Sequence, residues 1–261
     1  MNKNILIAFF LLILAWAFLP GIATAQDTGG EVIESKNIID FYNDGGPTMH
    51  VLLVGLIATV ALTLYLFIAV SAGKMVPKKL VDNINVTMAN QDIQGAYNLA
   101  NATPCAYSKC ISQALLKVNF ERDLANKASM VVSAEDTLDQ EETKVTGLIN
   151  YLNTISTLAP MVGLFGTVIG MITAFGQLTS GKAEPSDLAG GIGTAMLTTA
   201  GGLLVGIPAM FFYFFFKNRL ASLTTEIQKQ FSYAIDVLSG EIQLASSPQQ
   251  TVEAAQEAAP E

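Results

Sequence analysis

The residues able to do chemistry here are threonines set among glycines in two apolar, charge-free runs. The first run, TLAPMVGLFGTVIGMITAF (Thr157–Phe175), carries Thr167 between Gly166 and Gly170. The second, Gly190 to Gly206, carries Thr194, Thr198 and Thr199 among Gly193, Ala195, Gly202 and Gly206. A threonine hydroxyl both donates and accepts hydrogen bonds, so a file of them can wall a polar path. Uptake of a proton inside a membrane needs a titratable group, and each such group costs about 2.5–3.5 kcal/mol or more at the helix centre. Neither run contains Asp, Glu, Lys, Arg or His. If protons move along these helices, the ionisable group must belong to another chain.

A plainer reading accompanies the polar one. Membrane threonines often bond back to carbonyls of their own helix, and small residues at helical spacing let two helices approach closely in lipid. Gly163, Thr167 and Gly170 fall on nearly one face, as do Gly166, Gly170 and Ala174. In the second run Ala195, Thr199, Gly202 and Gly206 form one ridge, with Thr194 and Thr198 on a neighbouring face. Pro160, Gly163, Gly166, Gly170, Gly202, Gly206 and Pro208 are accordingly expected to serve helix packing, and Thr167, Thr199, Thr194 and Thr198 to line a path.

The elements that must position these residues follow from composition. Of 261 residues, 51% are hydrophobic and 14% charged, against about a quarter charged in soluble domains. This predicts an all-α membrane protein. A net charge of −8 argues against nucleic acid, whose partners carry a basic footprint. One His and two Cys leave little for a metal site or disulfide framework. No nucleophile–base pair, phosphate loop or cofactor motif is visible, so neither an enzyme nor a cofactor is expected.

Residues 1–25 read as a secretory signal, with Lys3, an apolar core, a Pro20–Gly21 break and the small-x-small site Ala23-Thr24-Ala25; an uncleaved anchor is the alternative. Residues 26–47 form an acidic segment outside the cytoplasm, with room for a short helix at 32–42. A first spanning helix occupies 48–73, long enough to cross a hydrocarbon core. Lys74, Lys78 and Lys79 follow it, which marks that end as cytoplasmic. His50, at the other mouth, reads as an interfacial polar residue rather than a relay. Residues 74–144 form a cytoplasmic helical loop interrupted at Pro104, in which Cys105 and Cys110 are structural thiols in a reducing compartment.

A second span (145–178) continues a charged helical stretch around Glu135–Lys144. A short periplasmic turn (179–187) leads to a third span (188–216), closed by Lys217 and Arg219. Leu220, Leu223, Ile227, Phe231, Ile235 and Leu238 then extend it as an amphipathic rod over 217–244, before a polar tail (245–261) of disordered composition. The topology is three spans, N-terminus periplasmic and C-terminus cytoplasmic, with helices 2 and 3 extended into the cytoplasm.

The runs APMVGLFGTVIGMITAF (Ala159–Phe175) and GGIGTAMLTTAGGLLVGIPAMFFYF (Gly190–Phe214), with the loop segment Asn90–Leu115, resemble the MotA/TolQ/ExbB proton channel family, most of all its ExbB branch. The resemblance covers about Val51 to Gly240. It implies an inner-membrane homo-oligomer, typically a pentamer, whose second and third helices line a pore. It also implies an ExbD-like single-span partner supplying the membrane Asp, and a TonB-like transducer driven by proton flow. By position, Thr167 and Thr199 match the family's pore-facing threonines. The family's ExbB and TolQ branches commonly carry a Glu early in the third span, in a GIAEAL-like motif; here GIGTAM puts Thr194 there, so that residue's role does not transfer. A TolQ-like or other stator subunit differs mainly in its partner, and a non-conducting scaffold ring is the reading from another class.

Overall fold

The structure is a computed structural model that describes Tyr42 and residues 45–118, 123–179 and 185–241. The expected signal sequence, most of the acidic segment and its short helix, the centre of the turn between spans two and three, and the tail 245–261 lie outside the described residues. Among the described residues the chain is all-α. Its helices are α1 (Pro47–Ala69), α2 (Ala72–Met75), α3 (Lys78–Ala89), α4 (Ile93–Ala102), α5 (Ala106–Leu115), α6 (Asp123–Thr179) and α7 (Pro185–Leu238). Three of them, α1, α6 and α7, are long and apolar enough to cross a membrane.

The chain divides into two units, and each long helix contributes to both. The first unit holds residues up to Thr59 and Thr154–Met210; the second holds Val60–Asn153 and Phe211 onward.

In the first unit the interior is made of backbone and small side chains. Along α6 the buried positions are Ser156, Ala159, Gly163, Gly166, Gly170 and Ala174. Steps of three and four residues keep one stripe facing a partner helix. The matching stripe on α7 is Ala195, Thr198, Gly202, Val205 and Ala209. Contacts run from Gly163 to Gly202, from Gly166 to Thr198 and from Gly170 to Ala195. One number rises as the other falls, so the two helices are antiparallel. The start of α1 lies along α7 in the parallel sense, with Met49 and Leu52 against Gly201 and Gly55 facing Val205.

In the second unit bulky side chains do the packing. Helix α7 buries Phe212, Phe216, Leu220, Leu223, Ile227, Phe231 and Ile235, again three or four apart. Helix α6 buries Met130, Ala134, Leu138, Ile149 and Leu152. Phe67 of α1 meets Phe212, Phe215 and Phe216 with centroids 5.1–6.2 Å away. Lys127 pairs with Asp236 at 2.8 Å, and Gln228 donates to Glu135 at 3.3 Å, which orders α6 and α7 antiparallel here as well.

The short helices owe their limits to local chemistry. Asp92 caps α4 by accepting from the Gly95 amide at 2.8 Å, the ordinary role of a carboxylate at an N-cap. Pro104 falls in the break between α4 and α5. Helix α5 starts with a capping box in which the cap is a thiol: Cys105 Sγ accepts from the Ser108 amide, and Ser108 Oγ accepts from the Cys105 amide. Both cysteines are buried and free. Desolvation pushes the Cys110 thiol up to about 12, with Glu141 and Cys105 adding to the rise, so it stays protonated and unreactive at neutral pH.

Candidate functional site

Of the residues singled out in the sequence, Gly163, Gly166, Gly170, Gly202, Gly206, Thr198 and Thr199 sit along the α6–α7 seam of the first unit, where the two backbones come close. A Cβ on Gly202 would lie 2.6 Å from the Ala159 carbonyl oxygen and 3.1 Å from Gly163 Cα. A Cβ on Gly163 would lie 2.8 Å from the Thr198 carbonyl oxygen, and one on Gly166 would meet the Thr198 side chain at 2.6 Å. Two helices can come this near only where both lack side chains, which is how small residues hold membrane helices together.

Prolines shape the same seam. Pro160 lies inside α6 and has no amide to give to the Ser156 carbonyl four residues back. Gly206 packs against that place: a Cβ there would be 2.9 Å from the Pro160 ring and 3.1 Å from Ser156 O. The Gly thus accommodates both the ring and the carbonyl that the ring bypasses. Pro208 lies inside α7 and is half-buried.

The four threonines occupy three different settings. Thr198 is 1% exposed, and its hydroxyl donates to Ala195 O at 2.8 Å; it is a member of the seam. Thr199 is half-buried at the seam's edge, its hydroxyl 3.5 Å from Gly163 O across the two helices. Thr167 donates to Leu164 O at 2.6 Å and lines a shallow apolar groove of about 550 Å³ with Val168, Met171, Ile172 and Phe175. Thr194 is half-buried. The sequence places Thr199 on the ridge and Thr198 beside it, whereas the side chain enclosed between the helices is that of Thr198. Both branches meet α6: Ala195, Thr199, Gly202 and Gly206 all face it within 3.5 Å of a Cβ placed on the opposing residue or on themselves, with Thr199 Cα 3.1 Å from a Cβ on Gly163, while Thr198 adds the enclosed side chain.

Outward from the seam, α6 exposes Leu158, Met161, Phe165, Val168, Ile172 and Phe175, each at least half accessible. Their spacing again alternates three and four. No Asp, Glu, Lys, Arg or His occurs between Val145 and Thr179 on α6 or between Leu188 and Phe216 on α7.

Three charge-free spans, two of them drawn into one glycine-lined antiparallel pair with long polar extensions, define a polytopic helical membrane protein. The chain belongs to the MotA/TolQ/ExbB proton channel family, whose model matches residues 96–229, just over half the chain. It is similar to the putative biopolymer transport protein ExbB-like 1 of Helicobacter pylori, 29% identical over 204 residues that cover 78% of this chain and 97% of the relative. Biopolymer transport protein exbB1 of Vibrio cholerae is 31% identical over 115 residues, 43% of this chain and 48% of that protein. The Tol-Pal system protein TolQ of Haemophilus influenzae is 34% identical over 100 residues, 38% of this chain and 42% of its own length.

Proposed function

We propose that this chain is an inner-membrane proton-channel and motor subunit of ExbB type. It assembles as a homo-oligomer, typically a pentamer in the resemblance drawn above. It works with an ExbD-like single-span subunit and passes proton motive force to a TonB-like transducer. The observation that carries this reading is the pairing of membership in a proton channel family with a second and a third span that hold hydroxyls and no Asp, Glu, Lys, Arg or His. Such a subunit can wall a proton path but cannot relay protons through its own side chains, because only a group with an accessible pKa takes up and releases them. The carboxylate therefore comes from the partner. Of the four threonines, Thr167, Thr194 and Thr199 supply the hydroxyls of the wall. Thr198, enclosed in the seam, holds the two helices in register.

The ends carry the orientation. Lys74, Lys78 and Lys79 after α1, and Lys217 and Arg219 after the apolar part of α7, support a cytoplasmic location for those ends through the positive-inside rule. The C-terminus is then cytoplasmic and residues 26–47 periplasmic.

The match along nearly the whole Helicobacter pylori ExbB-like relative favours the ExbB branch. The match to TolQ, confined to part of each chain, keeps envelope maintenance as the second reading. Co-purification in mild detergent followed by intact mass analysis tests the proposal. A ring that retains a single-span protein with a membrane Asp supports the motor. A ring whose partners have no membrane carboxylate refutes it and leaves a non-conducting scaffold.

A further inference from the structure

The second unit contains a recess that the proton path does not use. It has a volume of about 340 Å³ and is lined by Ala72, Phe215, Asn218, Arg219, Ser222 and Leu223. Three of these are polar and three apolar, and they sit where the apolar run of α7 ends and its aqueous extension begins. The second end of apolar helix meets the same place: Arg219 Nε donates to Val70 O at 3.3 Å, one residue past α1. That bond fixes the guanidinium and leaves its two terminal nitrogens. Among the described residues no carboxylate pairs with Arg219.

From this we infer that the recess is a binding site for the phosphate headgroup of an anionic phospholipid. A guanidinium tethered through Nε presents a planar fork, the geometry that grips phosphate through two hydrogen bonds. The Asn218 amide adds a neutral donor beside it, the Ser222 hydroxyl, which donates to Asn218 O at 3.1 Å, lines the recess, and Phe215 and Leu223 offer an apolar wall for the start of an acyl chain. Lys217, by contrast, lies over the Tyr213 ring at 5.6 Å and near its hydroxyl. It is an interfacial cation of the ordinary kind. Lys74 follows Ala72 closely and adds to the positive potential that gathers anionic lipid at such a boundary. The inference is independent of proton conduction.

Native mass spectrometry of the detergent-solubilised full-length protein, titrated with phosphatidylglycerol or with phosphatidylcholine of the same chains, tests it. Phosphatidylglycerol is expected to bind the wild type more tightly. Ser222→Phe, which fills the recess and keeps the guanidinium, is expected to abolish that preference. Arg219→Gln should weaken it about fivefold, the worth of one basic group at the surface, and Lys217→Gln should leave it unchanged. Equal binding of the two lipids, or equal loss in Lys217→Gln and Arg219→Gln with no effect of Ser222→Phe, overturns the site in favour of diffuse attraction. Displacement of the lipid by equimolar inorganic phosphate overturns the lipid assignment in favour of a soluble phosphate. Retention of lipid in Ser222→Phe with an unchanged thermal midpoint also refutes it, since that variant is then folded but its recess is irrelevant.

Discussion

Gly202→Ala isolates the seam in one methyl group. The added carbon would meet Ala159 O at 2.6 Å and Gly163 Cα at 3.1 Å, both backbone atoms of the opposite helix. Carbon contacts are comfortable from about 3.5 Å outward, so α7 must retreat from α6 by on the order of 1 Å. A gap of that size forfeits a quarter to a half of the local dispersion energy, and overpacking of this kind costs about 1–3 kcal/mol. Helix propensity works the other way, since replacing an internal Gly by Ala favours helix by about 1 kcal/mol. Gly147→Ala supplies that term alone, because a Cβ there meets nothing within 4 Å. Thermal unfolding in detergent, followed by the helical circular dichroism signal, should therefore move in opposite directions. Gly202→Ala should fall by about 2–4 °C per kcal/mol lost, and Gly147→Ala should hold or rise. A Gly202→Ala midpoint at or above that of Gly147→Ala would refute the close approach of the two helices at this point.

Thr167→Val removes a hydroxyl that lines the α6 groove and keeps its shape; proton-driven activity should drop while the oligomer survives extraction, and undiminished activity would take Thr167 out of the path. Cys110, with its thiol pushed up to about 12, should resist iodoacetamide at pH 8 in the native protein and react at once in denaturant; rapid native alkylation would show that α5 opens. Burial raises the Glu141 carboxyl, but its bonds to Lys109 and Lys144 outweigh this and hold it below its ordinary value. A carboxylate lowered in the folded state stabilises above its unfolded pKa, near ~4.3, and that contribution is lost as pH falls through and below this value. Wild type should thus lose more stability than Glu141→Gln on acidification from pH 6 to pH 3. The pairs are partly solvated, so the difference should be only about 0.2–1 kcal/mol; parallel curves would refute the linkage.

The all-α membrane class was legible in the amino-acid order because it follows from local quantities. Three long runs without charge can satisfy their backbone in lipid only as helices, and the step of Leu220, Leu223, Ile227 and Phe231 declares an amphipathic rod on its own. The close-packing character of the two glycine-rich runs was equally plain, since residue size is visible without a partner. What the order of residues left open was phase. Each glycine-rich helix has small residues on more than one face, and Ala195 can be continued through Thr198 or Thr199 with nearly equal regularity. Only the opposing helix decides: Gly166 has no side chain, and the Thr198 Cβ and hydroxyl fill the space it leaves. The same holds for the thiol cap at Cys105, the Phe67 cluster, and the bond from Arg219 to Val70 that joins residues 149 apart. Periodicity is a property of one chain segment, whereas which face is buried depends on the surface that meets it.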